Sequence, residues 1–200
     1  MHNGNERLAQ DVAVLEAMAG QMAAYLDSDQ LSWPAPRGGM PAMTLGGYLL
    51  REHRLTSLSH LLSGEQQARL SAAIAQFNQA LVDRVVRLEQ KAQGELDVRL
   101  RQWDAHIRDI DHDAFGRTSN YDTVVEVRAI IQAVLDRLSM PPYHTDQRPT
   151  EQLALLDTRL RNRFRPGDFV WPADWATAYP QPAYWWLYGA PRTAHNQADS

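Results

Sequence analysis

Apolar residues recur along most of this chain at steps of three and four, the period of one helix face. The longest run is Leu70, Ile74, Phe77, Leu81, Val85, Leu88, Ala92, Leu96, Leu100, Trp103, Ile107 and Ile110. It covers 40 residues in 11 steps, a mean of about 3.64. A heptad seam averages about 3.5 and imposes a left-handed supercoil, whereas an ideal helix sits near 3.6. The pattern therefore predicts one long, nearly straight helix over about 63–113. Ser63 and Gln66 form a capping box at its start, and Gly116 with the polar residues that follow marks its end. Gly94 lies where the seam weakens to Ala92, so any break is expected there.

Four shorter elements follow from the same reading. Residues 5–27 carry Leu8, Val12, Leu15, Ala19, Met22 and Leu26 at helical spacing, with Asn3 and Glu6 able to cap them. Residues 44–62 form one or two short helices, with Thr44 as N-cap. Between these two lies a Pro/Gly-rich loop, 28–43, which Trp33 is expected to anchor. Residues 121–138 are rich in β-branched side chains, but the spacing and length decide for helix over strand. The breadth of its apolar face makes it the most buried helix expected. A fifth helix covers 150–164, stopped by Pro166 and Gly167.

Residues 166–190 are different. Phe169, Trp171, Trp175, Tyr179, Tyr184, Trp185, Trp186 and Tyr188 are eight of the chain's 17 aromatic residues. Pro166, Pro172, Pro180, Pro182 and the following Pro191 exclude a long helix or a large sheet, and the aromatic density argues for order. The expected fold is all-α: a bundle of about five helices built on the long one, with an extended aromatic C-terminal segment wrapped over it. One domain is expected over 1–192, with 193–200 a frayed tail.

Composition narrows the chemistry. Cysteine is absent, which excludes disulfides, thiolate catalysis and Cys-ligated metal or iron–sulfur centres. A net charge of −4 makes a nucleic-acid partner an unfavoured expectation. No apolar stretch is long enough to span a membrane, and the acidic N-terminal residues do not resemble a signal peptide. A cytoplasmic, bacterial location is the expectation.

Three groups of residues invite chemistry. His106, Asp109 and Asp113 fall on one flank of the long helix, where one imidazole and two carboxylates would hold a divalent metal with a further ligand from a neighbouring helix. The competing reading is a solvated acidic helix end with His106 paired to Asp109. Asp109, Asp111 and Asp113 also match the start of an EF-hand loop. Ala114 and Asn120 stand where that loop needs glycine and a bidentate carboxylate, so the motif is rejected. Arg159 and Arg163 belong to a run of alternating arginines suited to a helix C-terminus or an anionic partner. Trp171, Trp175, Trp185 and Trp186 would line a ligand pocket or an interface, or simply pack on the helices. His53 and His60 share a face with Glu52 beside the first, and the favoured reading is a polar flank.

No nucleophile elbow, phosphate-binding loop or cofactor fingerprint is present. No cofactor is expected, and the balance leans away from an enzyme. The favoured expectation is a non-enzymatic interaction or structural module, self-associating to cover the long seam. The alternative is a ligand- or metal-binding helical protein, possibly an enzyme, that uses the His106 cluster or the aromatic segment.

Overall fold

The computed structural model describes residues 4–112, 121–144 and 146–192. The fold is all-α with an aromatic-rich C-terminal segment. The described residues hold α1 (Gly4–Ala19), α2 (Met22–Asp27), α3 (Leu45–Ser57), α4 (Gly64–Leu81), α5 (Val85–Asp111), α6 (Tyr121–Leu138) and α7 (Gln147–Arg163). Two short strands, β1 (Phe164–Phe169) and β2 (Tyr188–Pro191), close the chain. These residues fall into two compact units. One holds residues up to Glu95 together with 133–144, and the other holds 96–132 and the chain from Asp146. No described helix is long and apolar enough to cross a membrane.

The long helix is present as α5, and α4 precedes it on the same seam. The interruption falls at Val82–Arg84 and not at Gly94. Val82 N–H bonds back three residues to Gln79 O, which tightens the last turn of α4. Arg84 then turns aside. Its guanidinium takes both oxygens of Asp27, at 2.8 and 2.9 Å, and reaches back to Ala80 O, one of the carbonyls a helix end leaves unbonded. Gly94 serves another purpose. A Cβ there would stand 2.9 Å from Leu31 Cδ2, so the glycine admits the loop against an unbroken helix.

In the first unit α1 packs on α3 and α4. Leu8, Val12, Leu15, Met18, Met22, Leu26, Leu45, Leu55 and Phe77 form its core. The first helix ends at Ala19 and restarts at Met22, because Gly20 and Gln21 break the repeat expected over 5–27. The Asn3 cap lies outside the described residues. Thr44 caps α3 by accepting from Gly47 N–H at 3.0 Å, and Glu95 accepts from Gly46 N–H at 2.7 Å. The Ser63–Gln66 capping box forms as the sequence predicts. Trp33 anchors its loop. Its backbone pairs with Met43, and its indole N–H donates to Gln21 Oε1 at 3.0 Å.

In the second unit Leu96, Leu100, Trp103, Ile107 and Ile110 of α5 are buried, as are Val124, Val125 and Ile131 of α6. The last helix starts three residues before the expected position, because Asp146 caps it by accepting from Arg148 N–H. It ends at Arg163, and the chain then enters a strand. The prolines exclude a large sheet but permit a two-stranded antiparallel pair, with Phe164 opposite Pro191 and a bulge between Pro166 and Phe169. Gly189 makes the closest approach: its φ is +138°, and a Cβ there would meet Arg165 O at 2.1 Å.

The seam from Leu70 to Ile110 is buried within the single chain, apart from Ile74 and Val85, which are half-buried. No exposed stretch of this seam is left for a second copy to cover.

Candidate functional site

A cavity in the first unit lies between α3 and the end of α6. It has a volume of about 250 Å³. Leu49, Ala133 and Met140 supply apolar wall, and Glu52, His53, Asp136 and Arg137 supply the charged and titratable groups. Thr56 and Ser57 add hydroxyls at the end of α3.

Helical geometry explains the α3 wall. Leu49, Glu52, His53 and Thr56 recur at three and four and so share one face. Tyr48, four residues before Glu52, has its side chain fully buried and stacked on Phe77, with ring centroids 4.3 Å apart. On α6, Arg137 is the last basic residue before the helix ends. Its guanidinium lies over Phe77 at 5.3 Å and near Tyr143 at 5.7 Å, an aromatic setting that suits its planar cation.

Two buried polar atoms beside this cleft lack partners: the Tyr48 hydroxyl and the Arg137 Nε–H have no hydrogen-bond partner among the described residues. Such an atom normally costs about 1–3 kcal/mol when it is removed from water unmatched. Glu52 is only half-buried, and no described residue hydrogen-bonds to it or pairs with it within 4 Å. Burial pushes the Glu52 carboxyl above its ordinary range, and the charge of Arg137 opposes this. Burial likewise raises Tyr48, with the Glu52 charge adding to the shift and Arg137 opposing it. Tyr48 thus feels both charged groups of the cleft and remains neutral at physiological pH.

His106, Asp109, Arg159, Arg163 and the tryptophans of the aromatic segment lie in the second unit, whereas His53, His60 and Glu52 belong to the first. His106 is half-buried on α5. Burial lowers its pKa and the Asp109 charge opposes the change. Asp113 lies outside the described residues, and among the described residues no group of three His, Asp or Glu side chains is placed to hold a metal ion. Arg159 bridges Asp104 at 2.9 Å and Asp111 at 2.8 Å, and Arg163 donates to Asp111 O at 2.9 Å. Both arginines therefore fasten the end of α5. Asp104, which Arg108 also contacts, is held below the ordinary carboxylate range by the two guanidinium groups.

Trp175 and Trp186 are buried, and Trp171 donates its indole N–H to Asp122 O at 2.9 Å. Trp185 is half-buried and carries the Arg161 guanidinium at 3.8 Å. It lines a shallower space of about 230 Å³ with Phe164, Pro166, Gln181 and Tyr188. Trp175, Tyr179 and Trp186 are thus core, and the other rings of the segment are half-buried around them in a network of edge-to-face contacts that includes Trp171–Tyr179 and Tyr179–Tyr184.

Sequence reasoning noticed His53 and Glu52 but had no reason to join them to Tyr48 and Arg137. The available signal was a tyrosine and a glutamate one turn apart on an otherwise leucine-rich helix. That signal gains meaning only once α6 is known to lie opposite.

No family model matches this chain, and no curated protein or solved structure matches it.

Proposed function

We propose that this is a small-ligand-binding helical protein whose site is the cleft between α3 and α6. The observation that carries this reading is one cavity with apolar walls that the oppositely charged Glu52 and Arg137 line together, neither held by a hydrogen bond to another described residue. Elsewhere in the same unit the buried Arg54 is matched, its Nη1 donating to Asp11 Oδ2 at 2.7 Å.

The test is a thermal-shift screen of small fragments against the wild type and Thr56→Trp. Thr56 is exposed at the cleft wall, so the larger ring narrows the cavity without entering the core. Fragments at about 100 times their Kd stabilise by about 2.7 kcal/mol. The expected shifts occur in the wild type and vanish in Thr56→Trp. Equal shifts in both proteins would overturn the reading.

A second reading is the self-associating interaction module. Its support is Val82 and Val86, each 64% exposed at the junction of α4 and α5. Light scattering tests it: a dimer mass that falls to one chain in Val82→Glu/Val86→Glu supports it, and a single-chain mass in the wild type ends it.

A further inference from the structure

We propose that the α3–α6 cleft takes a neutral amide-bearing ligand. The ligand's carbonyl oxygen accepts from the Arg137 guanidinium, its amide N–H donates to the Glu52 carboxylate, and its apolar body rests on Leu49, Ala133 and Met140. The proposal deepens the binding reading above and depends on it.

The Arg137 guanidinium can only donate, so its complement is an acceptor. An ionised Glu52 can only accept, so its complement is a donor. An amide edge offers an acceptor and a donor side by side. It also matches the apolar wall, because a neutral group leaves no charge to be buried.

Charged ligands fit less well. An amine satisfies Glu52 but brings a second cation to Arg137 and gives its guanidinium nothing to bond. A carboxylate satisfies Arg137 but sets an anion against Glu52 and Asp136, which requires a proton to be taken up. Glu52 is faced by Tyr48 and His53 from its own helix and by Asp136 and Arg137 from α6. An amide leaves the balance among these groups undisturbed. Because the ionised Glu52 is the acceptor, amide affinity rises as pH climbs through the Glu52 titration. Burial places that titration above the ordinary carboxylate range.

The experiment is titration calorimetry on the full chain with three ligands that share one ring: cyclohexanecarboxamide, cyclohexanecarboxylate and cyclohexylmethylamine. The amide is expected to bind at least about tenfold tighter than either charged analogue. Glu52→Gln should lose about tenfold of amide affinity, in line with a hydrogen bond to a charged acceptor. Thr56→Trp should bind none of the three. A carboxylate or amine that binds as tightly as the amide, and loses binding in Thr56→Trp, would overturn the amide assignment and leave the cleft as the site. No heat with any of the three, or equal binding to Thr56→Trp, would end both readings. The comparison among ligands on the wild type stands even if a variant fails to fold.

Discussion

Gly94 and Leu31 are in direct register: the space that a Cβ at 94 would occupy is taken by Leu31 Cδ2, 2.9 Å away. Two effects oppose each other in Gly94→Ala. Alanine gains about 1 kcal/mol of helix propensity, and Leu31 must shift to admit the methyl group. Chemical denaturation is expected to place Gly94→Ala within about 0.5 kcal/mol of wild type. In a Leu31→Ala background the same substitution should stabilise by about 1 kcal/mol. Additive effects in this double-mutant cycle would refute the contact.

Arg128 is held by Asp157 through two parallel bonds of 2.9 and 2.8 Å, and its guanidinium lies 3.6 Å over the Trp186 ring. The Arg128 side chain is 3% exposed. Asp157→Ala leaves that cation buried and unpaired, so it should cost about 3 kcal/mol. Arg128→Met removes the charge along with the pair and should cost less. Urea denaturation of the two variants checks the order, and the reverse order would show that packing outweighs charge here.

Glu52 carries a pH signature. Its folded pKa is raised above the unfolded value by burial. Its contribution to stability is therefore fully present below the unfolded pKa and is lost as pH rises through the folded pKa. Glu52→Gln should be more stable than wild type at pH 7, and the difference should shrink to nothing as pH falls below that of an ordinary glutamate. Melting temperatures between pH 4 and 8 measure this. A variant less stable at pH 7 would place an unseen partner on Glu52.

Tyr121 fastens the aromatic segment, because its hydroxyl donates to Trp186 O at 2.8 Å in a buried setting. Tyr121→Phe leaves that carbonyl unmatched and should cost about 1–2 kcal/mol. Cleavage after Arg161 or Arg163 under limited trypsin should be slow in the wild type and several-fold faster in Tyr121→Phe. Equal rates would show that the ring network holds the segment without this bond.

Asp104 supplies an acid limit. Two guanidinium groups hold its folded pKa below the unfolded value, so its stabilising effect is present above the unfolded pKa and is lost as pH falls through the folded one. Asp104→Asn should therefore flatten the acid limb of a stability–pH curve and leave the limb above pH 6 parallel to wild type. An unchanged acid limb would assign acid unfolding to other carboxylates.

What the sequence determined by itself was local. The helical periods, the Thr44 and Ser63 caps, the anchoring role of Trp33 and the aromatic density after residue 166 are properties of residues close together along the chain. Periodicity and capping act over such distances. The tertiary structure decided what depends on residues far apart. The break at Val82–Arg84 is accompanied by the pairing of Arg84 with Asp27, and Gly94 stays helical because Leu31 needs the space. The arginines of α7 became fasteners because Asp104 and Asp111 stand within reach. The candidate site is the clearest case. Tyr48 and Glu52 are one turn apart on α3, but Arg137 belongs to a helix much later in the chain. Whether a donor is matched is a property of three-dimensional surroundings, and no spacing along the chain records it.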